Sequence, residues 1–159
     1  MPAEIDHTDR KILEILQEEG RISNAALARR IGLTAAPTLE RVRRLERERV
    51  ITGYAARIDG DSVGMGLTVF ASVSLEAHEL RAVEDFRAAV TALPGILECH
   101  HLTGEADFLL KVRAADMGSY EAFLREHLLG LPGVQRIRSS VVLSTLKEGG
   151  AIQIEEAVT

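Results

Sequence analysis

The chain has 159 residues, 46% of them hydrophobic, and a formal net charge of −5. The apolar content is enough for a packed core, which excludes wholesale disorder, and no apolar run reaches the roughly 18 residues that span a bilayer. The opening residues lack a basic stretch followed by an apolar one, and Cys99 is the single cysteine. The expectation is therefore a cytoplasmic protein with no secretory signal, membrane partner, internal disulfide or cysteine-based metal site.

Charge is unevenly spread. Residues 1–60 hold 11 Lys/Arg and 10 Asp/Glu, residues 61–159 hold 8 and 14, and between Arg29 and Arg49 seven arginines face three glutamates. The asymmetry points to two modules, one of them meeting something anionic.

In chain order, Ile5, Ile12, Leu13 and Leu16 recur at helical spacing, with Asp6 and Asp9 placed to favour the helix start and Gly20 to close it. Ser23 is placed to cap a second helix over 24–31, with Ala26, Leu27 and Ile31 inward and Gly32 as its stop. Thr34 is placed to cap a third helix over 35–50, and Pro37 falls in its first turn, where a missing N–H costs nothing. At 100° per residue, Leu39, Val42, Leu45 and Arg49 fall on one side. Pro37, Glu40, Arg44 and Arg47 point the other way, with Arg41 and Arg43 between.

A short helix, a tight Gly-Leu turn and a longer Arg-rich helix form a helix-turn-helix pattern. Ala35 and Ala36 allow close approach to base edges, arginines offer bidentate donors to guanine or phosphate, and Arg29 and Arg30 reach toward backbone phosphates. The expected partner is double-stranded DNA. The candidate contacts are Arg29, Arg30, Thr34, Ala35, Ala36, Pro37, Thr38, Glu40, Arg41, Arg43, Arg44 and Arg47. A small helical bundle with a solvated, charged surface is the alternative. Domain boundaries are expected at 1–51 for this module, 52–65 for a strand-like wing or linker, and 66–159 for the second module.

In that second module, residues 66–77 alternate, with Leu67, Val69, Ala71, Val73 and Leu75 on one strand face. Residues 79–92 read as a helix burying Val83, Phe86, Ala89 and Val90. Residues 96–104 and 107–114 read as a hairpin, and a helix capped by Asp116 runs to about Leu129, burying Tyr120, Phe123, Leu124 and Leu128. A last long strand spans 134–148. The order β-α-β-β-α-β is ferredoxin-like, so the fold class is α+β: a three-helix (winged) helix-turn-helix followed by a ferredoxin-like domain. The near-repeat of Leu93-Pro94-Gly95-Ile96 and Leu131-Pro132-Gly133-Val134 marks the same helix-to-strand turn in each βαβ half. Helices cover one sheet face only. The other face carries Phe70, Leu109 and Val142 beside Thr68, Ser72 and Lys111, which points to self-association.

The stretch 9–59, followed by ECHHLTGEADFLLKV, DMGSYEAFL and LPGVQRIRSSVVL, resembles the Lrp/AsnC family of feast-or-famine transcription regulators over about residues 6–154. The leucine-responsive type is the most similar. The resemblance implies a dimer through the second module, assembling to a tetramer or octamer, and an amino-acid effector held in a cleft between dimers. No other cofactor is implied. It carries the effector role onto the turn Gly104-Glu105-Ala106-Asp107, onto His101, Leu102, Thr103 and Met117, and onto Ser140, Val141 and Val142. Asp107 or Glu105 would accept from the effector's ammonium group, and main-chain N–H groups near Gly104 would hold its carboxylate. His101, Ala106 and Ser140 depart from the leucine-responsive pattern toward a roomier, more polar pocket, which weakens the case for leucine.

Three readings follow. The first is a sequence-specific transcription regulator modulated by an amino acid. The second is an architectural, DNA-wrapping protein of the same fold without a ligand. The third, an enzyme using Glu98, Cys99, His100 and His101, fails on alternation: Cys99 and His101 share one strand face, Glu98 and His100 the other, and neither pair has a third partner. No catalytic or metal-ligating residue is expected.

Overall fold

The computed structural model describes residues 4–76 and 80–154, which divide into two compact units: one formed by the chain up to Arg57 together with the segment from Lys147, the other by Ile58–Leu146. The expected helix start at residue 79, the expected strand end at residue 77 and the last five residues lie outside the described residues.

The first unit holds α1 (His7–Glu18), α2 (Asn24–Ile31) and α3 (Ala35–Arg47). A capping box opens α1: Asp6 accepts from the Asp9 N–H at 2.8 Å, and Asp9 accepts from the Asp6 N–H at 3.2 Å. Its close comes one residue earlier than expected, with Glu19 rather than Gly20 as the cap. The Ser23 hydroxyl caps α2 through the Ala26 N–H at 3.2 Å. Gly32, at φ 75°, ends it in the left-handed conformation that spares a residue lacking Cβ, and the Leu33 N–H then reaches back to the Ala28 carbonyl at 2.9 Å. Thr34 occupies the cap position of α3 without donating or accepting a side-chain capping bond. The helix stops at Arg47, short of Val50, because Arg49 turns left-handed at φ 57° and lets Val50 and Ile51 donate to the Leu45 carbonyl at 2.9 and 3.1 Å.

Ile12, Leu13, Leu27 and Leu45 form the core of this unit, joined by Val42, Val50 and Ile51 and by Ile154 from the chain's far end. That end is fastened to α1: the Gln17 amide donates to the Ile152 carbonyl at 3.1 Å and accepts from its N–H at 2.7 Å. Residues 147–159 are expected with the second module, but the described part of that segment packs with the first. Residues 52–59 form no strand.

The second unit is βαββαβ. Its strands are β1 (Leu67–Leu75), β2 (Ile96–His101), β3 (Phe108–Ala114) and β4 (Val134–Val141), in the antiparallel order β2-β3-β1-β4. Its helices are α4 (Leu80–Thr91) and α5 (Met117–Phe123), the latter continued by one π-helical turn over Leu124–Leu128. Strand alternation sends Val69, Ala71, Val73 and Leu75, with Phe108, Leu110 and Val112, against Phe86, Val90, Tyr120 and Leu128. The Tyr120 hydroxyl meets the Ser139 hydroxyl at 2.5 Å, so α5 is joined to β4 by a part-buried polar bond at the edge of the apolar layer.

Both Leu-Pro-Gly turns close with the same bond across the turn: Ile96 donates to the Leu93 carbonyl at 3.2 Å, and Val134 to the Leu131 carbonyl at 3.3 Å. Their glycines serve different ends. Gly133 is left-handed at φ 70°, whereas Gly95 is not; a Cβ there would stand 2.6 Å from the Phe123 ring. Gly95 thus admits α5 close to the turn, a packing reason rather than a conformational one.

The last strand ends at Val141, seven residues before the expected Glu148. Its final ladder bond runs from the Val142 N–H to the Thr68 carbonyl at 3.0 Å, and β1 starts at Leu67, so no backbone remains for it to pair with. Beyond it Leu143 and Leu146 are 98% and 97% exposed.

Candidate functional site

The recognition-helix candidate, α3, buries a different stripe from the one its hydropathy suggests. Thr38 and Leu45 are fully buried, with Val42 between them, while Leu39 is half-buried and Arg49 is exposed outside the helix. Thr38 is therefore removed from the DNA-facing set. Its hydroxyl donates to the Thr34 carbonyl at 2.9 Å, which satisfies it inside the core.

An ion-pair cluster flanks the buried stripe. Asp9, on α1, is fully buried and binds both Arg41 and Arg44. Arg41 donates to Asp9 at 2.9 Å and to Asp6 at 2.6 Å, and Arg44 also reaches the Glu4 carbonyl at 3.3 Å. Hydrogen bonding to these carboxylates pushes both guanidinium groups up, and the Asp9 N–H, followed by Arg41, holds the Asp6 carboxyl down at about 2 against the opposing effect of burial. Arg41 and Arg44, both expected to contact DNA, are thus engaged with α1 in this structure, and Arg44 departs from its expected outward orientation.

The side of α3 opposite Thr38, Val42 and Leu45 is Ala36, Glu40, Arg43 and Arg47, all exposed and spaced i, i+4, i+7, i+11. Thr34, Ala35 and Pro37 at its start are exposed too. Arg43 and Glu40 form a loose exposed pair at 3.6 Å, and Arg30 pairs with Glu19 at 2.8 Å. Such surface pairs contribute little and yield readily to a phosphate. Asn24 fixes the turn by donating to the Ala35 carbonyl at 2.8 Å.

In the second unit the hairpin Gly104–Asp107 sits where β1 ends. The Asp107 carboxylate accepts from the Leu75 N–H at 2.8 Å, and its own N–H donates to the Val73 carbonyl at 2.9 Å. Asp107 so completes the ladder at the end of β1, and Leu102 closes the turn through the Asp107 carbonyl at 2.8 Å. Glu105 is exposed and, with Ala106, borders a cavity of about 130 Å³ that also takes Ser72, Ser74, Arg136 and Arg138. Register explains the company: Ser74 faces Arg136 and Ser72 faces Arg138, so all four project from the sheet face that carries no helix. These four were missed from sequence. The strand alternation contained them, but pairing of β1 with β4 had to be known first.

Other expected effector residues are not gathered there. His101 points to the helix side and stacks on Phe108 at 4.7 Å. Met117 is 54% exposed at the start of α5. Ser140 pairs with Phe70, Val141 with Val69, and Val142 bonds to Thr68. That is six residues along β1 from the hairpin, roughly 20 Å at strand rise. Within one chain, Ser140, Val141 and Val142 do not share the hairpin's cavity.

Glu98 pairs with His100 and Lys111, both at 3.1 Å, on the open face, and these two partners hold its carboxyl down. Cys99 and His101 take the opposite face, as alternation requires, and burial pushes the Cys99 thiol up, away from reactive thiolate. No group of three metal-ligating side chains occurs among the described residues, and none of their helices is long and apolar enough to cross a membrane.

A helix-turn-helix with an exposed Ala/Glu/Arg stripe, carried with a ferredoxin-like unit that has a polar cavity at its hairpin, defines a DNA-binding regulator with a separate ligand-binding domain. Residues 5–52 match the winged helix-turn-helix DNA-binding model and residues 68–152 the Lrp/AsnC ligand binding domain, and the chain belongs to the Lrp/AsnC family of transcription regulators. It is 43% identical over 152 residues to the leucine-responsive regulatory protein of Escherichia coli K12, covering 96% of this chain and 93% of that one. Its fold is similar to that of a transcriptional regulator from Neisseria meningitidis solved with L-Met (TM-score 0.89, 39% identity, 94% and 97% of the two chains). An AsnC family regulator from Agrobacterium tumefaciens is likewise similar (TM-score 0.85, 30% identity, 91% and 94%).

Proposed function

We propose that this chain is an amino-acid-responsive regulator that binds operator DNA as a cytoplasmic homo-oligomer and catalyses no reaction. DNA is met by Arg29, Arg30, Thr34, Ala35, Ala36, Pro37, Glu40, Arg43 and Arg47. The observation that carries the effector half is the cavity at the hairpin. Arg136 and Arg138 project from alternate positions of one strand to offer donors for a carboxylate, and Glu105 borders the same space as an acceptor for an ammonium group. Glu105 rather than Asp107 takes that role, because the Asp107 carboxylate already serves the Leu75 N–H. Ser72 and Ser74 make the surroundings polar, which favours a small or polar side chain over leucine.

Self-association supplies the rest of the site. Ser140, Val141, Val142 and Met117 line the cleft from a second copy, and the half-buried Phe70 and Leu109 with exposed Leu143 and Leu146 give that copy an apolar surface to cover. A thermal-shift screen of the full-length protein against the twenty amino acids tests this reading. One or a few ligands are expected to raise Tm, and the rise should disappear in Arg136→Gln/Arg138→Gln. No shift with any amino acid, together with DNA footprints over many helical turns that no metabolite alters, would favour the ligand-independent architectural reading.

A further inference from the structure

The DNA-facing stripe proposed for α3 leaves one arrangement in the same unit without a use. A fully buried carboxylate, Asp9, faces two arginines of the recognition helix. The Asp9 Oδ1 atom takes Arg41 at 2.9 Å, and Oδ2 takes Arg44 together with the Asp6 N–H at 3.2 Å. Asp6 adds a second acceptor for Arg41 at 2.6 Å, so two positive and two negative charges meet at one end of α1. The carboxylate has no other route to solvation: its side chain exposes nothing, while each arginine side chain exposes 32%. Drawing either guanidinium away to a phosphate takes one of two counter-charges from a fully buried carboxylate, which costs more than breaking an exposed pair.

We propose that Asp9 is a positioning residue for DNA recognition: by holding Arg41 and Arg44 against α1 it fixes the roll of α3 and withholds two of the helix's arginines from DNA. Sequence reading is then left to Ala36, Glu40, Arg43 and Arg47. The withheld charges matter for discrimination. Arginine contacts to phosphate strengthen binding to every sequence alike, so an α3 with all its arginines on offer would bind more DNA with less choice. An apolar residue at position 9 would leave two arginines at the flank of the helix, within reach of the backbone. The carboxylate removes them while remaining invisible to DNA itself.

The inference rests on the assignment of the Glu40–Arg43–Arg47 stripe to DNA, and the experiment separates the two. Full-length wild type, Arg47→Gln, Arg44→Gln and Asp9→Asn are titrated over a range of salt. The probes are a duplex selected by the wild-type chain from a randomised pool and an unrelated duplex of equal length. Arg47→Gln is expected to flatten the log K against log salt slope by about 0.9 per DNA-contacting unit, the value of one phosphate contact. Arg44→Gln is expected to leave that slope unchanged. Asp9→Asn is expected to steepen it on both duplexes and to cut the ratio of selected to unrelated affinity by about tenfold, the scale of one misread base pair. If Arg44→Gln flattens the slope as Arg47→Gln does, Arg44 contacts DNA and the role of Asp9 is overturned while the DNA face stands. If Arg47→Gln changes nothing, the face assignment falls and the proposal with it. A purely structural Asp9 would scale both affinities together with no change in slope, and that result too overturns the proposal. Arg44→Gln retains Arg41 on Asp9, so the slope comparison holds even if Asp9→Asn does not fold.

Discussion

Each unit of this molecule presents a pair of arginines, and the pairs are held in opposite ways. In the DNA-binding unit Arg41 and Arg44 lie three residues apart on a helix and are drawn down onto the buried carboxylate of Asp9. In the sheet unit Arg136 and Arg138 lie two apart on a strand, both on the open face, exposed and without an ion-pair partner among the described residues. The first pair is tied down within its unit and the second is open to solvent. Charge summed along a sequence therefore differs from charge on offer: the arginine-rich stretch 29–49 ties two of its seven cations to a buried carboxylate, while the net-acidic second module leaves two exposed.

Substitutions should break or sharpen that contrast in a definite order. Asp9→Asn has the largest expected effect, a loss of about 2 kcal/mol from the first unit in urea denaturation, because the charge-assisted bonds to Arg41 and Arg44 are lost. Tyr120→Phe comes next. It removes the bond to Ser139 within the sheet unit and should cost about 1 kcal/mol on the same measurement. Arg136→Gln/Arg138→Gln should change stability by less than about 0.5 kcal/mol while abolishing the amino-acid thermal shift, which is the mark of residues kept for a ligand. A stability loss as large as that of Asp9→Asn would erase the distinction.

The smallest effect is one of pH. Asp6, held at about 2 by the Asp9 N–H and Arg41, has a folded-state value below its ordinary 3.8. Its contribution is complete above the ordinary value and is lost as pH falls toward 2, where the unfolded chain takes up the proton first. Asp6→Asn should therefore show a shallower decline in stability between pH 4 and pH 2 than wild type, measured by urea midpoints. Identical slopes would show that the capping box and the Arg41 pair add nothing in water.

The same contrast explains what could be read from sequence alone. Strand alternation has a period of two and one buried face, so Val69, Ala71, Val73 and Leu75 could point only one way. The two Leu-Pro-Gly turns mark the helix-to-strand junctions in the sequence itself, although the steric role of Gly95 depends on its neighbour Phe123. On α3 the apolar residues are few, and Leu39 and Arg49 pulled the inferred face away from Thr38. A threonine that satisfies its own hydroxyl and a carboxylate supplied by another helix leave no trace in a helical wheel. Ser72, Ser74, Arg136 and Arg138 became a set only through the pairing of β1 with β4. The resemblance to regulators points to the hairpin, and the register sets Ser140–Val142 too far along β1 to share its cavity within one chain.

The central claim is that a small amino acid controls DNA binding by this chain. It is tested most directly by measuring affinity for the selected duplex with and without whichever amino acid raises Tm, and then affinity for that amino acid with and without the duplex. The account predicts a change of about fivefold or more in the first measurement and the same factor in the second, since coupling between two sites is reciprocal. An amino acid that binds yet leaves DNA affinity untouched would contradict it.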